Sequence, residues 1–170
     1  MTTSEPAAEP DQAWVPNGRS RRRKPATPPS ADVISDELAS SVQATQNAWA
    51  RIEAEFGLLT SSQVAEFLGA KPSNRMLASR KRAAHLVAGI VRRNAVLYPG
   101  FQFDRVHGTI LPLMEPLIGL ALANHWTEHD LLLWLCGPTT SFEEEDRPVD
   151  HFHDPDSVIA AATNEFETQW

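Results

Sequence analysis

Residues 57–105 read GLLTSSQVAEFLGAKPSNRMLASRKRAAHLVAGIVRRNAVLYPGFQFDR, and the fold turns on how this stretch is read. Thr60 and Gln63 have the T-x-x-Q spacing of a capping box, in which each side chain takes a backbone N–H of the other. Val64, Phe67 and Leu68 then give a short helix one apolar face, and Gly69 supplies a left-handed stop. A second helix is expected from Asn74 to about Ala84, with Ser73 as its N-cap. Two short helices across a tight turn read as helix-turn-helix. Beyond them, Leu86 to Val91 is rich in β-formers, Arg92-Arg93-Asn94 reads as a turn, and Ala95 to Tyr98 as the returning strand. Pro99-Gly100 ends that strand, because proline cannot donate to a ladder.

The second helix has unlike faces. At about 100° per residue, Arg75, Ser79 and Arg82 share one stripe, while Leu77 and Ala84 lie opposite with Met76 beside them. Leu77 is expected to pack on the first helix. Lys71, Arg80, Lys81, Arg92 and Arg93 add positive charge, and no acid interrupts from Lys71 to Arg93. Arginine forks fit phosphate and guanine acceptors, so these eight residues form the expected contact set for double-stranded DNA. A solvated basic surface helix is the bland alternative.

The capped LTSSQVAEFLG, the basic helix and the hairpin closing at YPGFQFD together resemble the excisionase and MerR-like winged-helix families. The resemblance implies a winged helix-turn-helix with a two-stranded wing. It also implies that YPGFQF fixes the second strand to the protein body.

Composition bounds the remainder. The chain has 170 residues, 42 % of them hydrophobic, enough for one domain or two small ones. No apolar run approaches the roughly 18 residues of a membrane span, and there is no signal-peptide core, so a cytoplasmic protein without a membrane partner is expected. Cys136, the single cysteine, sits in the apolar run LLLWLC and reads as a small buried hydrophobe. The net charge of −7 is unevenly spread. Residues 57–106 carry eight basic and two acidic side chains, whereas residues 107–170 carry one basic and twelve acidic. Such asymmetry suits nucleic acid at one end and a different partner at the other.

Four segments follow. Residues 1–33 are proline-rich and expected to be disordered. Their run Arg19 to Lys24 can serve as a DNA-contacting arm or as a solubilising tail. Residues 34–56 hold a long helix capped by Ser35 or Asp36. Its stripe Leu38, Val42, Thr45, Trp49, Ile52 and Phe56 must be covered by the winged helix or by the same helix of a second subunit in a homodimer. Residues 57–106 are the winged helix. Residues 107–170 form a small acidic helical domain.

In that last segment, Thr109 is expected to precede a helix with Met114, Leu117, Ile118, Ala121 and Leu122 inward. Thr127 and Asp130 cap an all-apolar helix ended by Gly137-Pro138, and Asp154 with Pro155 opens a final one. Trp134-Leu135, Pro138, Phe142, Arg147-Pro148, Phe152 and Val158 resemble the toxin-binding domain of antitoxins paired with RES-domain toxins. This chain departs from that family in carrying Glu143-Glu144-Glu145 where glycine is usual, and phenylalanine for leucine at Phe142 and Phe152. The resemblance implies a toxin or other basic protein as partner. Phe142, Glu143, Glu144, Glu145 and Arg147 are the candidate contact residues, an aromatic anchor within a charged rim.

Asp150-His151-Phe152-His153-Asp154 has the residue types of a divalent-metal site, but nothing distant completes it, and no metal or cofactor is expected. No phosphate-binding or dinucleotide-binding glycine pattern and no nucleophile-and-base pair occurs, so an enzyme is not expected. The expected architecture is mainly α, a winged helix-turn-helix with a two-stranded hairpin plus a small C-terminal helical domain. The expected function is an antitoxin-like, DNA-binding transcriptional regulator. The alternative is a protein-interaction adaptor without DNA binding.

Overall fold

The structure is a computed structural model describing residues 31–143 and 146–168, with the backbone alone for 31–34. The expected basic arm, Arg19 to Lys24, lies outside the described residues, as do Glu144 and Glu145.

Helix α1 (Ala31–Phe56) is 26 residues long and starts four residues before Ser35. Of its described side chains, the buried ones lie in the C-terminal half. Trp49 and Ile52 are buried, whereas Leu38 and Val42 are 65 % and 50 % exposed. Gly57, at φ +76°, turns the chain out of the helix.

Strand β1 (Leu58–Thr60) follows, and α2 (Ser61–Phe67) opens on the expected capping box. The Thr60 N–H donates to Gln63 Oε1 at 2.8 Å, and the Gln63 N–H donates to Thr60 Oγ1 at 3.3 Å. Helix α3 (Met76–Ala83) is shorter than expected. Ser73 does not cap it, because Lys71 to Asn74 form a turn of their own in which the Asn74 N–H donates to the Lys71 carbonyl. The buried position is Ala78, a side chain small enough to let α3 approach α2. Leu77 is half-buried, and Met76 and Ala84 face solvent.

Strand β2 (Ile90–Arg92) starts later than Leu86, and β3 (Ala95–Pro99) returns from it. Arg93 and Asn94 between them have φ +48° and +63°, the positive values that a two-residue hairpin loop requires. The sheet has three strands in the order β1-β3-β2, all antiparallel, with Leu58 opposite Pro99 and Ile90 opposite Leu97. Leu86 to Gly89 stays irregular for a visible reason. Gln102, fully buried in the 3-10 turn Gly100–Gln102, takes the Ala88 backbone for itself. Its Oε1 accepts from the Ala88 N–H at 2.8 Å, and its Nε2 donates to the Ala88 carbonyl at 2.9 Å and the Pro99 carbonyl at 3.2 Å.

Strands β4 (Phe103–Asp104) and β5 (Thr109–Ile110) form a second small sheet. Thr109 therefore lies in a strand, and α4 (Met114–Ala123) begins five residues later. Met114, Leu117, Ile118 and Ala121 are buried as expected, but Leu122 is 41 % exposed. Helix α5 (Glu128–Cys136) starts on the Thr127–Asp130 capping box and ends at Gly137. A 3-10 turn at Pro148–His151 leads to α6 (Pro155–Glu167), capped by Asp154 with Pro155 in the first turn. Phe166 of α6 packs against Trp126 and Trp134, with ring centroids 4.1 and 5.1 Å away.

One apolar cluster joins Trp49 and Ile52 of α1, Ile90 and Phe101 near the three-stranded sheet, and Leu117, Leu132, Val158 and Phe166 of the later helices. This core runs across the boundaries drawn at residues 56/57 and 106/107. A smaller cluster of Val64, Ala78, Val87, Tyr98 and Phe103 ties α2 and α3 to the sheet. The architecture is mainly helical with small antiparallel sheets. Among the described residues no helix is long and apolar enough to cross a membrane.

Candidate nucleic-acid interface

The basic residues singled out in the sequence divide into two groups. Lys71, Arg75, Ser79 and Arg80 are exposed along and just before α3, and Arg93 is exposed at the tip of the β2–β3 hairpin. Arg75 is steadied by α2, its Nε donating to Ser62 Oγ at 3.2 Å. Lys81 is half-buried beside Leu77 and Leu86. None of these five basic residues has a carboxylate within ion-pair distance among the described residues.

The second group is engaged within the fold. Arg82 Nε donates to both oxygens of Glu128, the nearer at 2.8 Å, and Glu128 also accepts the Gly89 N–H at 2.7 Å. Glu128 thus joins the end of α3, the entry to the hairpin and the start of α5. Arg92 Nη1 lies 2.9 Å from Glu53 of α1. The expected stripe Arg75–Ser79–Arg82 therefore loses its last member to an internal ion pair. The sequence carries no sign of this, because the two partners are 46 positions apart.

The expected partner-binding residues are also drawn inward. Phe142 stacks on His151, with centroids 4.1 Å apart and planes within 5°, and packs against the main core. Arg147 bridges two acids. Its Nη1 and Nη2 lie 2.7 and 2.8 Å from Glu55 of α1, and its Nε and Nη2 lie 2.9 and 2.7 Å from Asp150. The Arg147 guanidinium holds the Glu55 and Asp150 carboxyls below their ordinary ranges, and the two acids push its own pKa up. Glu143 alone of the described candidates there stands exposed.

The histidine-rich segment is likewise occupied. His151 Nε2 is 3.2 Å from Asp146 Oδ2, Asp150 is on Arg147, and Asp154 caps α6. Among the described residues no group of three or more His, Cys, Asp or Glu side chains is placed to hold a metal ion. Burial pushes the Cys136 thiol up to about 12, so it is held as an inert thiol.

Sequence reasoning missed Gln102 and Glu128, the two polar residues that set the hairpin against the rest. Gln102 had a signal: an amide between Phe101 and Phe103 in an aromatic run is a polar group that burial must satisfy.

The class defined by these elements is a mainly helical fold carrying small antiparallel sheets, with a basic two-helix unit beside a basic hairpin tip. Among solved structures, the fold is similar to one titled "NMR structure of Rv2175c", at a TM-score of 0.53. That structure is 22 % identical in sequence, and the match covers 65 % of this chain and 82 % of that one. No protein-family model and no curated protein matches.

Proposed function

We propose that this chain is a DNA-binding regulator that uses α2 and α3 as a helix-turn-helix and the β2–β3 hairpin as its wing. The observation that carries the reading is the exposure of Lys71, Arg75, Arg80 and Arg93 with no carboxylate within ion-pair distance among the described residues, in a chain that carries net −7. Exposed cations that the described carboxylates leave unpaired in an acidic protein are available to an anion. Arg75 and Ser79 enter the major groove, Lys71 and Arg80 lie on phosphates, and Arg93 follows the backbone from the hairpin tip. Arg82 and Arg92 act by position, holding α3 and the hairpin to Glu128 and Glu53. Among the described candidates, a protein partner for the acidic segment has Glu143 to stand on, since Phe142 and Arg147 are engaged internally.

Fluorescence anisotropy with a labelled duplex pool, measured across a salt series, tests this. The expected result is affinity falling steeply with salt, by about 0.9 log units per log unit of salt for each phosphate contacted. R80A and R93A each lower that slope by about one with the melting temperature unchanged, while R82A lowers the melting temperature. Absence of salt-dependent binding to the pool at low salt overturns the reading.

A further inference from the structure

Between Ser35 and Gln43 every side chain of α1 is exposed, the apolar Leu38 and Val42 included. Leu38 and Val42 continue the same helical face that Trp49 and Ile52 bury against the core. Beside the C-terminal half lies a groove of about 730 Å³, bounded by Ala44, Ala48 and Ile52 of α1 and by Leu133, Cys136 and Pro138. One chain thus carries both an apolar ridge and an apolar groove on a single helix.

Charge bears on which occupant the groove suits. Asp36 and Glu37 stand exposed in the same stretch as Leu38 and Val42. Arg51 stands exposed on the groove wall and, unlike Arg147 there, has no carboxylate within ion-pair distance among the described residues. Glu37 and Arg51 are fourteen positions apart, two heptads, so they share one helical stripe. About 21 Å of helix separates them, too far to pair within one chain. Turning a second α1 antiparallel about a dyad near Ala44 brings each Glu37 beside the other copy's Arg51. The same operation lowers each Leu38 into the other copy's groove, between Ala48 and Pro138.

We infer that the occupant is a second copy of this chain, and that α1 is an isologous antiparallel dimer interface. The inference is independent of the DNA reading, since neither the ridge nor the groove includes a residue of α3 or the hairpin. Each copy both gives Leu38 and receives it, so the contact closes on two chains and does not propagate.

Sedimentation velocity on the full chain at low salt, from micromolar to about millimolar, tests the inference without DNA. The wild type is expected to sediment as a particle of twice the chain mass. L38D is expected to be monomeric with unchanged helicity, since Leu38 is exposed in one chain. R51E is expected to raise the dimer Kd about tenfold through two symmetry-related pairs. The double variant E37R/R51E is expected to recover affinity to within about threefold of wild type. That recovery can come only from contact between copies, because the two positions cannot meet within one. A wild type monomeric at every concentration overturns the inference. So does a dimer indifferent to L38D, or a charge-exchanged variant no tighter than R51E.

Discussion

Gln102→Leu isolates the most consequential buried polar contact in the fold. Leucine is close in volume and apolar, so the substitution leaves little cavity. It removes three hydrogen bonds, from the Ala88 N–H and to the Ala88 and Pro99 carbonyls. A buried donor left unsatisfied costs about 1–3 kcal/mol, and each abandoned carbonyl less, since it keeps a second lone pair. Leucine's apolar surface offsets about 1 kcal/mol of this. The net loss is about 2–4 kcal/mol. For a domain of this size that lowers the melting temperature by roughly 6–14 °C. Urea unfolding followed by circular dichroism is the assay, and the midpoint should move with the slope unchanged. Gln102→Glu sharpens it. A carboxylate still accepts from the Ala88 N–H but faces two carbonyls until it binds a proton. Its pKa in the folded state is therefore raised, and the deficit of Q102E relative to wild type should shrink as pH falls. A Q102L midpoint equal to wild type, or a Q102E deficit that grows on acidification, refutes the reasoning.

Two further predictions rest on particular contacts. At Gly100, a Cβ would collide with the Phe56 carbonyl oxygen, a backbone atom that cannot swing aside, so Gly100→Ala should cost about 2 kcal/mol or more and show in the same urea assay. Arg147 lowers the folded-state pKa of Glu55 and Asp150, so their contribution is present above the ordinary carboxylate values of 4.5 and 3.8 and is lost as pH falls through the lower folded values. Arg147→Ala should reduce stability at neutral pH and flatten its acid dependence below about pH 4.5, and an unaltered pH profile in thermal melts counts against the bridge.

The capping boxes at Thr60–Gln63 and Thr127–Asp130, the Gly57 helix end and the Asp154–Pro155 start were legible in the chain and stand in the structure. Each is settled by residues within four positions of one another, where dihedral preference and one hydrogen bond decide the outcome. Elements that exist only through a distant partner were not legible. Strand β1 has three residues and no periodicity of its own, and its pairing with β3 creates it. The start of α3 moved because Lys71 to Asn74 closed a turn, and β2 shortened because Gln102 claimed Ala88.

For the candidate site the division is the same. The amino-acid sequence by itself determined that positive charge gathers between Lys71 and Arg93, that the last third is acidic, and that α1 carries one continuous apolar stripe. Tertiary structure alone decided which cations meet a carboxylate among the described residues. It set Arg82 on Glu128, Arg92 on Glu53 and Arg147 on Glu55, and it left Arg75, Arg80 and Arg93 in solvent. It also left Leu38 and Val42 of α1 exposed. The reason is range. Helix periodicity and capping act over a few residues, whereas an ion pair or a packed face depends on which segments the folded core brings within about 4 Å.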